Sequence, residues 1–253
     1  MKFAAFITVL SVILGAFSLT DAKEIPPYIK ICSRNDPNIG KCVKESIHNM
    51  RPYLHDGIPL LKVPAMEPLI IGDMVILEGG PNSLNARVKN LKIFGASNFE
   101  IGTLSVSEDV KRFDFSLKLP HLQGFGDYEI DGKLLTLPLS GKGPFKGNFT
   151  NFSAAVTVIF DVRPVNDVEK LSIKTLSVKI KPGNGQIRLE NLFNGDKLTG
   201  DTVNQIINEN FRTFVSELIV PIQRALELKF LKVASRIVEN FTYEELFPEK
   251  SAR

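Results

Sequence analysis

The sequence contains no tryptophan, two cysteines and three histidines among 253 residues, and each scarcity removes a class of explanation. The histidines (His48, His55, His121) have no cysteine or histidine neighbour at ligand spacing, so no metal site can be assigned. His48 and His55 fall on one face of a helix, where solvated side chains account for them. Catalytic signatures are missing too. No H-E-x-x-H occurs, and Gly95-Ala96-Ser97-Asn98-Phe99 supplies only the first half of a nucleophile elbow. The stretch Gly141-Lys142-Gly143-Pro144-Phe145-Lys146-Gly147 looks like a phosphate loop in composition, but its spacing is wrong and no helical pattern follows; a glycine-rich hairpin explains it. Neither catalytic residues, nor a cofactor, nor a metal is expected. After Ala22 there is no run of about 18 uncharged residues, which argues against a membrane-spanning helix. A net charge of +3 without a basic run interleaved with aromatics argues against a nucleic-acid partner.

Export is what the chain does advertise. Met1 to Ala22 combines Lys2, an apolar run from Phe3 to Phe17, and small residues at Thr20 and Ala22, the pattern of a signal peptide cleaved after Ala22. The remaining residues, 23–253, show no low-complexity tract, repeat or linker and are expected to form one domain. In an oxidising compartment the close pair Cys32 and Cys42 reads as a disulfide, worth about 2–3 kcal/mol by loop closure. The sequons at Asn148, Asn151 and Asn240 agree with secretion to the extracellular space.

The dominant pattern runs from Asp201 to Glu239. With Asp201 as N-cap, apolar residues recur at helical spacing through Val203, Ile207, Phe211, Phe214, Leu218, Ile222 and Ala225, giving one very long helix. Glu209, Arg212, Glu217, Arg224 and Glu227 favour one side of it. Lys229, Lys232, Arg236 and Glu239 fall nearly opposite, so the apolar stripe changes sides and a coiled-coil seam is excluded. Pro221 is expected to bend the helix near the carbonyl of Glu217. A shorter N-terminal helix opens at Asp36-Pro37, exposes an apolar face of Ile39, Val43, Ile47, Met50 and Leu54, and closes at Asp56-Gly57. A proline-spaced strap follows, from Gly57 to Leu69.

From Leu69 to Phe193 the period falls to two, with short alternating runs such as Phe113 to Leu119 and Val156 to Val162. Turn signals at Gly124 with Gly126, at Gly141 to Gly147 and at Pro182 to Gly185 divide them. Without crossover helices the strands should be antiparallel. Lost alternation at Val88 to Ile93 and at Leu134-Leu135 implies bulges that bend the sheet. The expected fold is α+β: a highly curved antiparallel β-sheet wrapped around the long C-terminal helix.

The ordered string Asn191-Leu192-Phe193-Asn194-Gly195-Asp196, Gly200-Asp201-Thr202-Val203-Asn204, Asn208-Glu209-Asn210-Phe211 and Phe241-Thr242-Tyr243-Glu244-Glu245-Leu246-Phe247-Pro248 resembles the takeout family, related to insect juvenile hormone binding proteins. Earlier matches are the paired Cys32 and Cys42, Gly57-Ile58-Pro59 with Glu67-Pro68-Leu69, and Gly126-Asp127-Tyr128 with Gly132-Lys133 and Leu137-Pro138. Phe211 stands where similar relatives often carry tryptophan. The resemblance implies an α/β-wrap like that of tubular lipid-binding domains, secretion into haemolymph or around sensory tissue, and carriage of a terpenoid hormone or long-chain lipid. In some relatives it also implies circadian expression and an influence on feeding.

The expected activity is that of a monomeric, secreted, non-enzymatic carrier whose partner is a small hydrophobic ligand, with no stable membrane insertion. Its candidate ligand-lining residues are Phe211, Phe214, Leu218 and Ile222 on the helix, with Phe113, Phe115, Tyr128, Val158 and Phe160 on the sheet. The alternatives are a lipid-transfer module that docks on membranes, with Lys174, Lys179 and Lys181 as a weak acidic-membrane contact, and an extracellular signalling protein whose core is full. An enzyme acting on the ligand ranks last.

Overall fold

The computed structural model describes residues 25–79 and 83–250; the expected signal segment, Met1 to Ala22, lies outside the described residues. Helix α1 (Ile39–Leu54) begins at Asn38 rather than Asp36, whose carboxylate instead accepts from the Asn38 amide at 2.8 Å. The Cys32–Cys42 disulfide is present, with Cα atoms 5.9 Å apart, and ties the N-terminal arm to α1.

Seven strands form one antiparallel sheet: β1 (Leu69–Leu77), β2 (Asn85–Phe94), β3 (Glu100–Val106), β4 (Arg112–Leu134), β5 (Leu137–Val165), β6 (Val168–Lys181) and β7 (Asn184–Leu189). Its spine is the β4–β5 hairpin, paired from Arg112↔Ile159 to Leu134↔Leu137. Shorter strands are laid along its two halves. β2 and β1 continue outward from the C-terminal half of β4, and β7 flanks the N-terminal half of β5; β3 and β6 flank the other half. A flat strand of 23 residues would reach about 75 Å. The sheet curls, aided by register shifts at Lys89/Lys92, where Asn90 has φ 53°, and at three points between β1 and β2.

Two expected turns are not turns. Gly124 and Gly126 lie inside β4, and Gly141 to Gly147 lie inside β5. Here glycine makes room for aromatic rings: a Cβ on Gly147 would stand 2.4 Å from Phe149 Cζ, and one on Gly126 would stand 3.0 Å from the Phe145 ring. The actual reversals use left-handed residues in two-residue loops, Leu135 (φ 57°) before Thr136, and Asn166-Asp167 (φ 50° and 62°). The expected bulge at Leu134-Leu135 is thus the hairpin tip itself.

The spine also changes face once along its length. Toward the β3/β6 side the core takes Phe113, Phe115 and Leu117 from β4 and Ala154, Val156 and Val158 from β5. Toward the β1/β7 side it takes Tyr128, Ile130 and Leu134, with Leu139 and Phe145. Odd positions give way to even on β4 and the reverse on β5. Both changes fall beside Pro120 and Asn151, and Asn151 has φ 57°.

The expected single C-terminal helix is two. α2 (Lys197–Glu209) is capped by Asp196, whose carboxylate accepts from Thr199 N at 2.8 Å; Asp201, read as the cap, pairs instead with Arg188 at 2.6 Å. The chain breaks at Asn210 (φ −110°, ψ 25°), whose side chain donates to the Ile206 carbonyl at 2.9 Å in competition with the helical ladder. α3 (Phe211–Val238) then runs through Pro221 as one helix of 28 residues, about 42 Å long. A short α4 (Tyr243–Leu246) closes the fold through a capping box between Thr242 and Glu245.

The strap is pinned by one carboxylate. Glu67 accepts from Gly95 N and Ser97 N, both at 2.9 Å, and from Ser97 Oγ at 2.8 Å, so the serine of the half-formed elbow is engaged in structure. Burial pushes the Glu67 carboxyl up, but these donors together outweigh it and hold the group below the ordinary carboxylate range. A carboxyl lowered by folding adds stability that is present above its unfolded value, about 4.3, and is lost as pH falls through its folded value. Glu67→Gln should lower the thermal midpoint at neutral pH and flatten its acid-side decline, checked by melting from neutral pH downward. Gly147→Ala should destabilise by about 1–3 kcal/mol through displacement of the Phe149 ring, read from the urea midpoint.

Candidate functional site

A curled sheet that does not close on itself leaves two edges of unpaired backbone groups, and here helices supply the missing partners. On α2, Asn204 accepts from Leu189 N at 2.8 Å and donates to Leu189 O at 2.9 Å. One turn later, Asn208 does the same to Ile187 at 2.8 and 2.9 Å. Each amide side chain thus imitates a neighbouring strand along β7. On α3, Gln223 and Glu227, again four apart, accept from Ile180 N and Val178 N, each at 2.7 Å, along the free edge of β6. Across the gap, Lys229 donates to the Ile71 carbonyl on β1. Burial, with Lys232 nearby, pushes the Lys229 ammonium down. The two sheet edges, β6 and β1, are therefore fastened to opposite sides of one helix.

Between those fastenings lies an apolar interior. Phe211 and Phe214 are the buried residues of α3; Leu218, Ile222, Ala225 and Leu226 pack only partly covered against the main core, and Phe230 against β5 and β6. Among the described residues the buried apolar side chains form four clusters. One occupies the β1/β2/β7 end with α2 and the first half of α3, one surrounds the disulfide, one lies under α1 and the strap, and one sits on the β5–β6 half. Partly buried Phe115, Leu117, Val158, Leu176 and Ile180 surround that last cluster together with Phe230. Val158 packs against both the disulfide cluster and the β5–β6 cluster, and Leu117 against both the strap cluster and the β5–β6 cluster.

The candidate ligand-lining residues distribute accordingly. Tyr128, Phe214, Leu218 and Ile222 share the main cluster; Phe115 and Val158 line the β5–β6 half. Phe113 and Phe160 pack edge to face at 5.3 Å beside the disulfide, with Val158 between the two regions. Phe211 lies apart from the others, 6.0 Å from the Phe149 ring and beside Gly185 of β7. Burial pushes the Tyr128 phenol up to about 12, and its hydroxyl donates to Glu190 O at 2.7 Å, fixing the ring as a neutral wall.

Two surface cavities lie elsewhere. One of about 490 Å³ is lined by Asn85, Asp131, Lys133 and Phe193; another of about 630 Å³ outside α1 is lined by Tyr28, His48, Asn49 and Tyr53. Neither includes a candidate ligand-lining residue. Among the described residues no cluster of three or more His, Cys, Asp or Glu could hold a metal ion, and no helix is long and apolar enough to cross a membrane.

The sequon residues differ in their surroundings. Asn148 and Asn151 are exposed on β5. Asn240 donates through Nδ2 to the Arg236 carbonyl, Phe241 is 2% exposed, and Thr242 caps α4.

The family model described as haemolymph juvenile hormone binding protein matches residues 7–248. Similar proteins include circadian clock-controlled protein daywake of Drosophila melanogaster, 25% identical over 241 residues that cover 91% of each chain. Another is a Schistocerca gregaria protein named "Putative beta-carotene-binding protein", 20% identical over 225 residues, 88% of this chain and 89% of that one. Among solved structures, Epiphyas postvittana Takeout 1 shares the fold at a TM-score of 0.74 and 23% identity, covering 87% of this chain and 99% of that one.

Asn204→Leu keeps the number of side-chain heavy atoms but leaves the Leu189 amide and carbonyl unpaired in a buried place. The expected loss is about 2–4 kcal/mol, together with faster amide exchange at Leu189, measured by hydrogen–deuterium exchange.

Proposed function

Because the chain belongs to the haemolymph juvenile hormone binding protein family, we propose that it is a secreted, monomeric, non-enzymatic carrier of a long apolar ligand held between α3 and the concave face of the sheet. The observation that carries this reading is the incomplete burial of α3 beyond Phe214, opposite a sheet face whose apolar residues are also only half covered. A ligand of terpenoid or long-chain lipid type would complete that burial at roughly 25 cal/mol per Å² of apolar surface removed from water. The relative named for beta-carotene binding supports a long, unsaturated, apolar class.

Phe115, Tyr128, Val158, Phe214, Leu218 and Ile222 are the proposed walls. Phe113 and Phe160 would bound the space toward the disulfide, and Phe211 would close it toward β7. Export is proposed to follow cleavage after Ala22, with glycans at Asn148 or Asn151 in preference to Asn240, whose side-chain nitrogen is engaged. The name of the daywake relative supports expression under clock control.

Protein secreted from insect cells and purified without detergent should yield one lipid class in stoichiometric amount by mass spectrometry of an organic extract. Leu218→Asp should bind a fluorescent fatty-acid probe at least about tenfold more weakly, a loss of roughly 1.4 kcal/mol, with its thermal midpoint measured alongside. Full binding by a folded variant would remove Leu218 from the site. An empty extract that stays empty after incubation with terpenoids and fatty acids would overturn the carrier reading.

A further inference from the structure

From Val220 to Val238, α3 exposes every fourth residue: Val220, Arg224, Leu228, Lys232 and Arg236. We propose that this ridge, centred on Leu228, is a docking surface for an anionic lipid bilayer. The position of Leu228 follows from its neighbours. Glu227 is held to Val178 on β6 and Lys229 to Ile71 on β1, so the residue between them is turned out over the seam between the two sheet edges. Leu228 is 71% exposed and Val220 50%, although the same helix buries its other large apolar side chains at least partly. Ile70, 51% exposed and next to the Ile71 carbonyl that Lys229 reaches, adds apolar surface at the same edge.

Charge selects the partner. Arg224 and Lys232 stand one turn to either side of Leu228, with Arg236 a turn further on, and none of the three has an acidic side chain within ion-pair distance among the described residues. The nearest acid in this stretch of helix, Glu227, is turned onto the β6 edge. Over the ridge the exposed residues are thus apolar or cationic. Apolar side chains flanked by cations on a helix side are what an anionic interface receives: the apolar group enters the headgroup boundary and the cations meet the lipid phosphates and carboxylates. A convex ridge one residue wide has no recess for a folded partner's side chain, whereas a fluid bilayer conforms to it. Docking here would be peripheral and would set the apolar interior behind α3 against the membrane. It does not require that a ligand be bound.

The test is flotation of the intact secreted protein, stripped of lipid, with phosphatidylcholine vesicles with and without phosphatidylserine, at low and high salt. The protein should float with the anionic vesicles, less so at high salt. Arg224→Gln with Lys232→Gln should cut partitioning about 25-fold, about fivefold per cation. Leu228→Glu should reduce it further. Both variants change exposed side chains, so unchanged thermal midpoints and fatty-acid probe binding are expected. Equal flotation with neutral vesicles, flotation with neither, or full retention by the double variant would overturn the proposal. Capture on immobilised polyglutamate without vesicle binding would also overturn it, in favour of an acidic protein.

Discussion

An open, curled sheet cannot leave its two edges unsatisfied, and the pairing of those edges with helix side chains is the constraint on which the rest of the molecule depends. Asn204 and Asn208 complete β7, Gln223 and Glu227 complete β6, and Lys229 reaches β1. Each net hydrogen bond adds only about 0.5–1.5 kcal/mol, but leaving the backbone groups buried and unpaired would cost more. The helix is therefore located by polar contacts at the sheet margins. Its apolar residues need not mesh fully with the concave face to keep it in place.

That division of labour explains why a helix with so many apolar residues is so incompletely buried. Phe211 and Phe214 anchor its beginning, the disulfide cluster and the strap cluster pack with α1 against the same core face of the sheet, and the middle of α3 is left beside half-covered Phe115, Leu117 and Val158. The side-to-side migration of the helix's exposed residues has the same origin. A ridge of every fourth residue drifts around the helix by about 40° per step, so a sheet wrapped obliquely leaves an oblique strip uncovered.

Much of this was legible in the sequence. Periodicity separated the helices from the strands, the short spacing of Cys32 and Cys42 matched their bond, and the opposed charge groups on α3 announced that no single face is the buried one. The misreadings have physical causes. Gly124, Gly126 and Gly141 to Gly147 signalled turns because glycine is common there, but Gly124, Gly126 and Gly147 make room for the rings of Phe145 and Phe149, and Gly141 and Gly143 for the chain from Glu190 to Leu192, neighbours that only the fold brings to them. The break at Asn210 was masked because Ile207, Phe211 and Phe214 keep helical spacing across it. The edge-pairing residues were missed altogether. Their signal was polar pairs four apart, Asn204 with Asn208 and Gln223 with Glu227, and a pair of that kind resembles solvated surface until a strand edge is placed beside it. For the interior, sequence periodicity chose the apolar residues but gave no sign of the face change beside Pro120 and Asn151, which separates Phe113 and Phe115 from Tyr128.

The fastening of α3 has a mechanical consequence. A side-chain clip can exchange its protein partner for water at small net cost, whereas parting β4 from β5 would break a ladder that runs the whole length of the sheet. The wall is thus weaker where side chains alone fasten β6 and β1 to α3 than along the hairpin, and that seam follows the helix. A structure fastened this way yields lengthwise, like a pod along its suture, and the chain-like ligand proposed above would enter broadside without being threaded in from one end.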